Sequence, residues 1–456
     1  MAILSVNPYT EEVLGEYETL GVEESARRVE KAREAFLSWK KFPAARRAES
    51  FRALSRRLRE GQRRYAETIT REMGKPITQS LAEVEKCAWL CDDTAEKADR
   101  FLQAEPVETG VFRSYVALQP LGVILGIMPW NFPFWQVFRF AVPALAAGNV
   151  CVLKHASNVP ATALALEALF LESGFPPHVF QTLLADSRTA MEIVERELVD
   201  AVSLTGSVEA GSQVASLAGR HIRKFVLELG GSDPFLVLEN ADAARAARMA
   251  LQARMINSGQ SCIAAKRFLV AASLSVPFRE TLERELAAVK IGDPMDPATL
   301  LGPLARKEFL PALAGQLEDA ERKGARVVRG PDPPPGRGFF FRPALVYEVR
   351  PDMRVMTEEV FGPVMPVLFV EKESEMVRLA NATPYGLGAS IWTRDLARGE
   401  RLAAELEAGF VAVNDLVKSD PRLPFGGIKK SGVGRELSPY GIREFVNVKS
   451  VVVKEA

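Results

Sequence analysis

A chain of 456 residues, 47% of them apolar, is longer than one hydrophobic core usually organises, so two or three domains are expected. Its 58 Lys plus Arg balance its 58 Asp plus Glu, which leaves no charge excess to recruit nucleic acid or an anionic membrane. Four cysteines in so long a chain make no disulfide framework and fit a reducing compartment, so a cytoplasmic location is expected.

The opening Met1-Ala-Ile-Leu-Ser-Val-Asn-Pro8 lacks the basic and long apolar regions of a signal peptide. Residues 22–73 are rich in Ala, Glu, Arg and Leu at helical spacing, with Phe51, Leu54 and Leu58 on one stripe, and read as two helices joined near Pro43. Their arginines are balanced by glutamates, so they form a solvated face rather than a nucleic-acid patch. Cys87 and Cys91 stand four residues apart on a further helix, with no histidine near them, and read as packing residues rather than zinc ligands. Phe112-Arg-Ser-Tyr-Val-Ala-Leu118 alternates like a strand. Residues 116–138 carry no net charge along a bilayer-length stretch, yet Pro120, Pro129 and Pro133 break it, so no membrane span is expected.

A strand-helix alternation then begins. Val123–Met128 is an apolar strand, residues 134–147 a helix, residues 149–153 a strand, and residues 162–172 a helix that stops at Gly174 before Pro176. Residues 201–204 form a strand that runs through Thr205-Gly206-Ser207 into a small-residue helix, and residues 225–227 and 235–238 continue the pattern. Short apolar strands between helices imply a doubly wound parallel sheet that binds ligands at its C-terminal edge. A second alternation covers residues 243–414, and the Pro/Gly-rich stretch 330–338 is either a linker or a loop within one domain. Residues 444–453 read as a closing apolar strand.

Chemistry concentrates in a few places. Cys262 ends the polar turn Asn257-Ser-Gly-Gln-Ser-Cys262, and Glu228 ends an apolar run before Leu229-Gly230-Gly231. A nucleophilic thiol needs a base, and a carboxylate becomes a base when burial lifts its pKa. A free cysteine is also commonly just a small buried hydrophobe. In Pro129-Trp130-Asn131-Phe132-Pro133 two prolines fix the backbone, so the Asn131 amide could serve an oxyanion or simply cap a turn. Gly206-Ser207-Val-Glu-Ala-Gly211 follows a strand and opens a helix, a place where backbone N–H groups can meet a pyrophosphate or where Ser207 merely caps. Lys154 ends a strand where a ribose or phosphate would lie, and Ser157 follows where many dinucleotide sites place an acid.

Taken in order, these motifs with Glu359-Val-Phe361-Gly-Pro363, Pro424-Phe425-Gly-Gly427, Lys429 and Ser431-Gly432 resemble the NAD(P)-dependent aldehyde dehydrogenase superfamily over essentially the whole chain. Within it, Trp135-Gln-Val-Phe-Arg139, Lys154-His-Ala156, Glu228-Leu-Gly-Gly-Ser-Asp-Pro234 and Lys418-Ser-Asp-Pro-Arg422 look most like bacterial succinate-semialdehyde dehydrogenases. The resemblance implies an α/β architecture. A Rossmann-like cofactor domain would span residues 1–101 and 121–227, a catalytic domain 228–435, and a small β oligomerisation arm 102–120 and 436–456. It further implies that Cys262 attacks the aldehyde, that Asn131 and the Cys262 N–H hold the oxyanion, and that Glu228 activates the hydrolytic water. Trp130, Lys154, Ser157, Gly206, Ser207, Gly211, Leu229, Glu359 and Phe361 would contact the cofactor. Ser157 in place of the Glu of many NAD-specific members argues for NADP, with NAD still admissible.

The resemblance lines the substrate pocket with Trp135, Gln136, Arg139, Ser261, Ile263, Ser419 and Phe425. Arg139 lies in an apolar helix, so its guanidinium either binds a substrate carboxylate or meets an internal acid that the sequence does not identify. Another semialdehyde or a general aliphatic aldehyde remains an alternative substrate. Acyl transfer to coenzyme A fits less well, because Glu228 supplies a hydrolytic base. A cofactor-independent cysteine hydrolase would need His155, His178 or His221 beside Cys262, and a catalytically silent binding protein would have no use for the Cys262, Glu228 and Asn131 set. Exposed strands at residues 101–120 and 444–453 suggest pairing with a second copy, as a homodimer or a dimer of dimers.

Overall fold

A computed structural model describes residues 2–455. Its first sheet has six strands in the order Gly432–Val433, Lys224–Glu228, Ala201–Thr205, Val123–Met128, Val150–His155 and Phe180–Thr182. All neighbours run parallel except Gly432–Val433, which pairs antiparallel with the end of Lys224–Glu228. Strands such as Val150–His155 are buried along their whole length, as a parallel sheet covered on both faces requires. Helices Val22–Trp39, Trp135–Ala146, Pro160–Glu172 and Val208–Arg220 supply that cover. Val123–Met128 is the first strand of the alternation and lies in the middle, flanked by the second (Val150–His155) and by Ala201–Thr205. The order therefore reverses there, and a crevice opens at the C-terminal strand ends. Met128, Thr205 and Glu228 all end on that edge.

The second sheet has seven strands, Arg326–Arg329, Ala344–Tyr347, Val364–Val370, Arg267–Ala271, Pro234–Val237, Gly388–Trp392 and Phe410–Val413. Only the first pair is antiparallel. The Pro/Gly-rich stretch 330–338 connects that pair, so it is a loop within the sheet and not a linker. After the second sheet the chain returns to the first, where Phe425, Leu437, Ile442 and Phe445 join its core. A three-stranded antiparallel ribbon, Val446–Val453, Arg113–Pro120 and Glu105–Pro106, stands apart, with Val448 and Val452 exposed on it.

The amino-terminal region differs from the sequence reading. Residues 22–73 form three helices, Val22–Trp39, Ala44–Glu60 and Gln62–Met73, because the chain breaks again at Gly61. The Tyr65 ring sits 2.6 Å from where a Cβ at position 61 would lie, a local packing demand that periodicity does not register. Helix Ile77–Phe101 carries Cys87 and Cys91, both buried. The uncharged run 116–138 divides into the end of one strand, the whole of Val123–Met128 and the start of helix Trp135–Ala146. Among the described residues no helix is long and apolar enough to cross a membrane.

Candidate active site

Cys262 is presented by a turn that the chain would not adopt alone. Asn257 and Ser258 have φ of 52° and 55°, and Gly259 follows at 78°. Left-handed backbone at two non-glycine residues costs on the order of 1–3 kcal/mol each and persists only where the surroundings over-determine it. They do so here. Fully buried Arg254 donates to the carbonyls of Gly259 (2.9 Å), Ala265 (3.0 Å), Val360 (2.9 Å) and Gly362 (3.0 Å). The Asn257 amide donates to the Asn131 carbonyl at 2.7 Å, and Lys266 Nζ donates to the Cys262 carbonyl at 2.6 Å. A Cβ at position 259 would meet the Gly362 carbonyl at 2.3 Å, so only glycine lets the two loops touch.

Two cavities meet at Cys262, which is partly exposed while the other three cysteines are buried. One, of about 290 Å³, is walled by Trp130, Asn131, Gly206, Ser207, Glu228 and Glu359. The other, of about 400 Å³, is walled by Lys86, Trp135, Arg139, Ser261, Ser419 and Phe425. Gln136 and Cys262 belong to both. A molecule entering from either side therefore reaches the same sulfur.

The acid-base groups are tuned by burial. The Cys262 thiol is pushed up to about 12 by its enclosure, against the pull of Arg139 and Lys266. It therefore needs a base or an added positive charge to become a thiolate. Glu228 lines the same cavity as Cys262, is 3% exposed, and has one carboxylate oxygen with no partner. Desolvation first, then the Glu436 carboxylate, hold it well above the ordinary range, while Arg139 and Arg435 oppose them. A carboxyl lifted this way is a stronger base than a solvated one, which suits a general base. The Asn131 amide oxygen accepts from Gln136 Nε2 at 3.0 Å, and one amide hydrogen goes to the Gln260 carbonyl at 3.1 Å. The second amide hydrogen remains for a ligand.

His155 keeps the Asn131 loop in place. Its Nε2 lies 2.9 Å from the Pro133 carbonyl, and its Nδ1 lies 2.9 Å from the Ala156 N–H and 3.2 Å from the Met128 carbonyl. Burial pulls it down to about 4, so it is neutral. Among the described residues none of the three histidines lines either cavity, so the site holds no cysteine-histidine dyad.

The smaller cavity has the character of a dinucleotide site. Ser207 caps helix Val208–Arg220 by accepting from the Ala210 N–H at 3.1 Å, and the Thr205 hydroxyl beside it is buried without a partner. A helix amino terminus and an unpaired donor suit a pyrophosphate. Glu359 lines this cavity with its carboxylate and accepts from the Gly231 N–H at 3.1 Å. Trp130 stacks on Phe309 and meets Phe361 edge-on, an aromatic rim suited to a planar ring. Leu229 lines the cavity, while Gly211 lies behind it, its α-hydrogen side packed so closely that a Cβ would sit 2.5 Å from the Leu229 side chain. Lys154 and Ser157 are not on this wall: Lys154 is buried at its strand end, within electrostatic reach of Asp186, and Ser157 is exposed beyond it.

In the larger cavity Trp135 Nε1 donates to Ser419 Oγ at 2.9 Å, and Arg139 stacks over Phe425. The internal acid that the sequence left unnamed is Glu436, 2.7 Å from Arg139 Nε, with both side chains buried. Sequence reasoning also passed over two residues of helix Ile77–Phe101. Glu83 accepts the N–H groups of Phe134 and Trp135 at 2.9 Å each and so caps helix Trp135–Ala146 from outside, while pairing with buried Lys75. Lys86 reaches Ser419 Oγ at 2.8 Å. No motif surrounds either residue, and only the fold brings them here.

The aldehyde dehydrogenase family model matches residues 1–451. A Synechocystis protein named "Probable succinate-semialdehyde dehydrogenase (NADP+)" is 46% identical over 451 residues, covering 99% of this chain and 99% of its own. A Mycobacterium avium protein named succinate-semialdehyde dehydrogenase (NADP+) is 43% identical over 455 residues, covering 99% of this chain and 96% of its own. Among solved structures, a succinic semialdehyde dehydrogenase from Streptococcus pyogenes in complex with NADP+ superposes with a TM-score of 0.96 at 35% identity, covering all of both chains. With a cysteine-bearing turn between two cavities and this likeness along its entire length, the chain belongs to the aldehyde dehydrogenase family.

Proposed function

We propose that the protein oxidises succinate semialdehyde to succinate with NADP, in the cytosol and as a homodimer or a dimer of dimers. The observation that carries the substrate reading is the cationic, hydroxyl-bearing floor of the 400 Å³ cavity that ends at Cys262. An aldehyde with a carboxylate at its far end suits that floor, and the names of the full-length relatives point the same way. Exposed Val448 and Val452 on the ribbon, and the unpaired edge of Val446–Val453, support assembly through that strand.

In this reading Cys262 first gives up its thiol proton, by way of water, and its Sγ then adds to the aldehyde carbon. The oxygen becomes an oxyanion held by the free Asn131 amide hydrogen and the Cys262 backbone N–H. NADP, when bound, would accept the hydride that leaves the carbon bonded to Cys262, so that the oxyanion returns to a carbonyl and Cys262 carries a thioester. Gly206, Ser207 and the Thr205 hydroxyl would hold its pyrophosphate end and Glu359 its ribose. Trp130, Phe361 and Leu229 would flank the ring, and Lys154 with Ser157 would meet the 2′-phosphate. Glu228 then takes a proton from water, whose oxygen attacks the thioester carbon. The acid leaves and Cys262 recovers its proton.

The test is initial rates with NADP and with NAD on succinate semialdehyde and on butyraldehyde. A strong preference for the semialdehyde and for NADP is expected. Equal or faster turnover of butyraldehyde would refute the substrate assignment.

A further inference from the structure

We propose that Lys86 supplies the net positive charge by which the larger cavity selects a carboxylated aldehyde, acting together with the Ser419 hydroxyl. This rests on the substrate reading above and deepens it. Three charged side chains line the cavity: Glu83, Lys86 and Arg139. Glu83 is paired with Lys75, and Arg139 is paired with Glu436. Among the described residues Lys86 has no carboxylate within ion-pair distance: its nearest partners are Ser419 Oγ at 2.8 Å and the face of Trp135 at 4.4 Å. Asp420 lies nearby but is held by Arg422 at 2.7 Å. The pocket therefore has one positive charge in excess, and it is that of Lys86 rather than that of Arg139.

Donor count leads to the same place. Ser419 Oγ accepts from Trp135 Nε1 and from Lys86 Nζ, so both its lone pairs are engaged and its own proton is free to donate. Arg139 Nε and Nη2 are both buried without a hydrogen-bond acceptor, Nε facing Glu436 at 2.7 Å as an ion pair alone. Lys86 keeps ammonium hydrogens beyond the one given to Ser419. Buried donors without acceptors are rare in a finished interior and mark the place of a missing acceptor. Here the acceptor must carry negative charge and enter a cavity that ends at Cys262, as the far carboxylate of a short semialdehyde does.

The charge is titratable. Burial first, and Arg139 next, bring Lys86 down to about 8, while Cys87, Asp420 and Glu83 oppose the shift. Glu228 and Cys262 act on every aldehyde, so their titration cancels when one aldehyde is compared with another.

The experiment measures kcat/KM for succinate semialdehyde and for butyraldehyde from pH 6.5 to 9.5 in the wild type, Lys86→Met and Lys86→Arg. In the wild type the ratio of the two should fall as pH rises through about 8. In Lys86→Met the ratio should drop roughly 10- to 100-fold, the weight of a charged hydrogen bond, and lose its pH step. Lys86→Arg should restore the ratio and also lack the step. A Lys86→Met ratio equal to that of the wild type, or a parallel loss on both aldehydes, would overturn the proposal, the latter by making Lys86 a prop for the Ser419 loop. Should Lys86→Met fail to fold, a flat wild-type ratio across pH 8 overturns it alone. A wild type without preference for the semialdehyde overturns the substrate reading as well. A wild-type preference that survives Lys86→Met overturns only the role of Lys86.

Discussion

Replacing Arg139 with Met tests the charge balance beneath the site. The Arg139 and Glu436 side chains are 3% and 4% exposed and 2.7 Å apart. Met fills much of the same volume but leaves Glu436 alone in the interior, beside a Glu228 that already repels it. Breaking a buried pair from one side costs roughly 3–5 kcal/mol. Glu436 already stands above the ordinary carboxyl range from desolvation, with Arg139 the opposing influence. Without Arg139 it rises further and escapes much of the cost by binding a proton. A carboxyl whose folded pKa exceeds its unfolded value of about 4.3 contributes most below that value. Its contribution falls as pH climbs towards the folded pKa, by up to about 1.4 kcal/mol per pH unit. The deficit of Arg139→Met relative to wild type should therefore widen as pH climbs above the point where Glu436 ionises in the wild type. Arg139→Met combined with Glu436→Leu should recover most of it, giving a coupling of at least about 2 kcal/mol. Urea unfolding of Arg139→Met, Glu436→Leu, the double variant and the wild type at pH 5.5, 6.5 and 7.5 measures this. A deficit below about 1 kcal/mol with no pH trend and no coupling would mean that the two charges are not a buried pair. Arg139 would then be the free cation, and the case for Lys86 would fail with it.

Glu228→Gln keeps the shape of the base and removes its function. A rapid burst of NADPH near one per site followed by turnover at least about 100-fold slower is expected in stopped-flow. Because Glu228 is lifted, wild-type hydrolysis should rise as pH climbs through its pKa, and that limb should vanish in the variant; a variant lacking the burst, or keeping wild-type steady-state rate, would count against the role. Ser157→Glu places an anion three residues beyond buried Lys154, and the NADP to NAD ratio of kcat/KM should fall at least about tenfold. An unchanged ratio would show that the 2′-phosphate lies elsewhere.

The parallel sheets were legible because their strands are buried on both faces and so appear as short apolar runs punctuated by Gly and Pro. Val123–Met128 and Ala201–Thr205 are such runs, and the strand ends that carry Asn131, Ser207 and Glu228 follow from them. Cys262 and Glu228 were legible as motifs, yet their common cavity was not, since they sit at the edges of different sheets. The Gly61 break was not legible, because one glycine between two helical patterns looks like an interruption of one helix. Glu436, Glu83 and Lys86 were illegible for a different reason. Each acts on a residue more than 50 positions away in sequence or across an element boundary, and none sits in a pattern of its own.

The same distinction separates the reaction from its specificity. Cys262 and Asn131 lie on short loops, and Glu228 is the last residue of its strand, where local geometry demands glycine, asparagine and proline, so these positions leave a mark on neighbouring residues. The groups that set the charge of the substrate cavity lie on helix Ile77–Phe101, on helix Trp135–Ala146 and in the returning segment at residues 419–436. Their side chains could change without altering any turn, cap or strand register, so one scaffold can keep Cys262, Glu228 and Asn131 while its far wall is rewritten for a different aldehyde. Selectivity should accordingly follow the charge balance of Lys86, Arg139, Glu83 and their partners, and the bond-making steps should not.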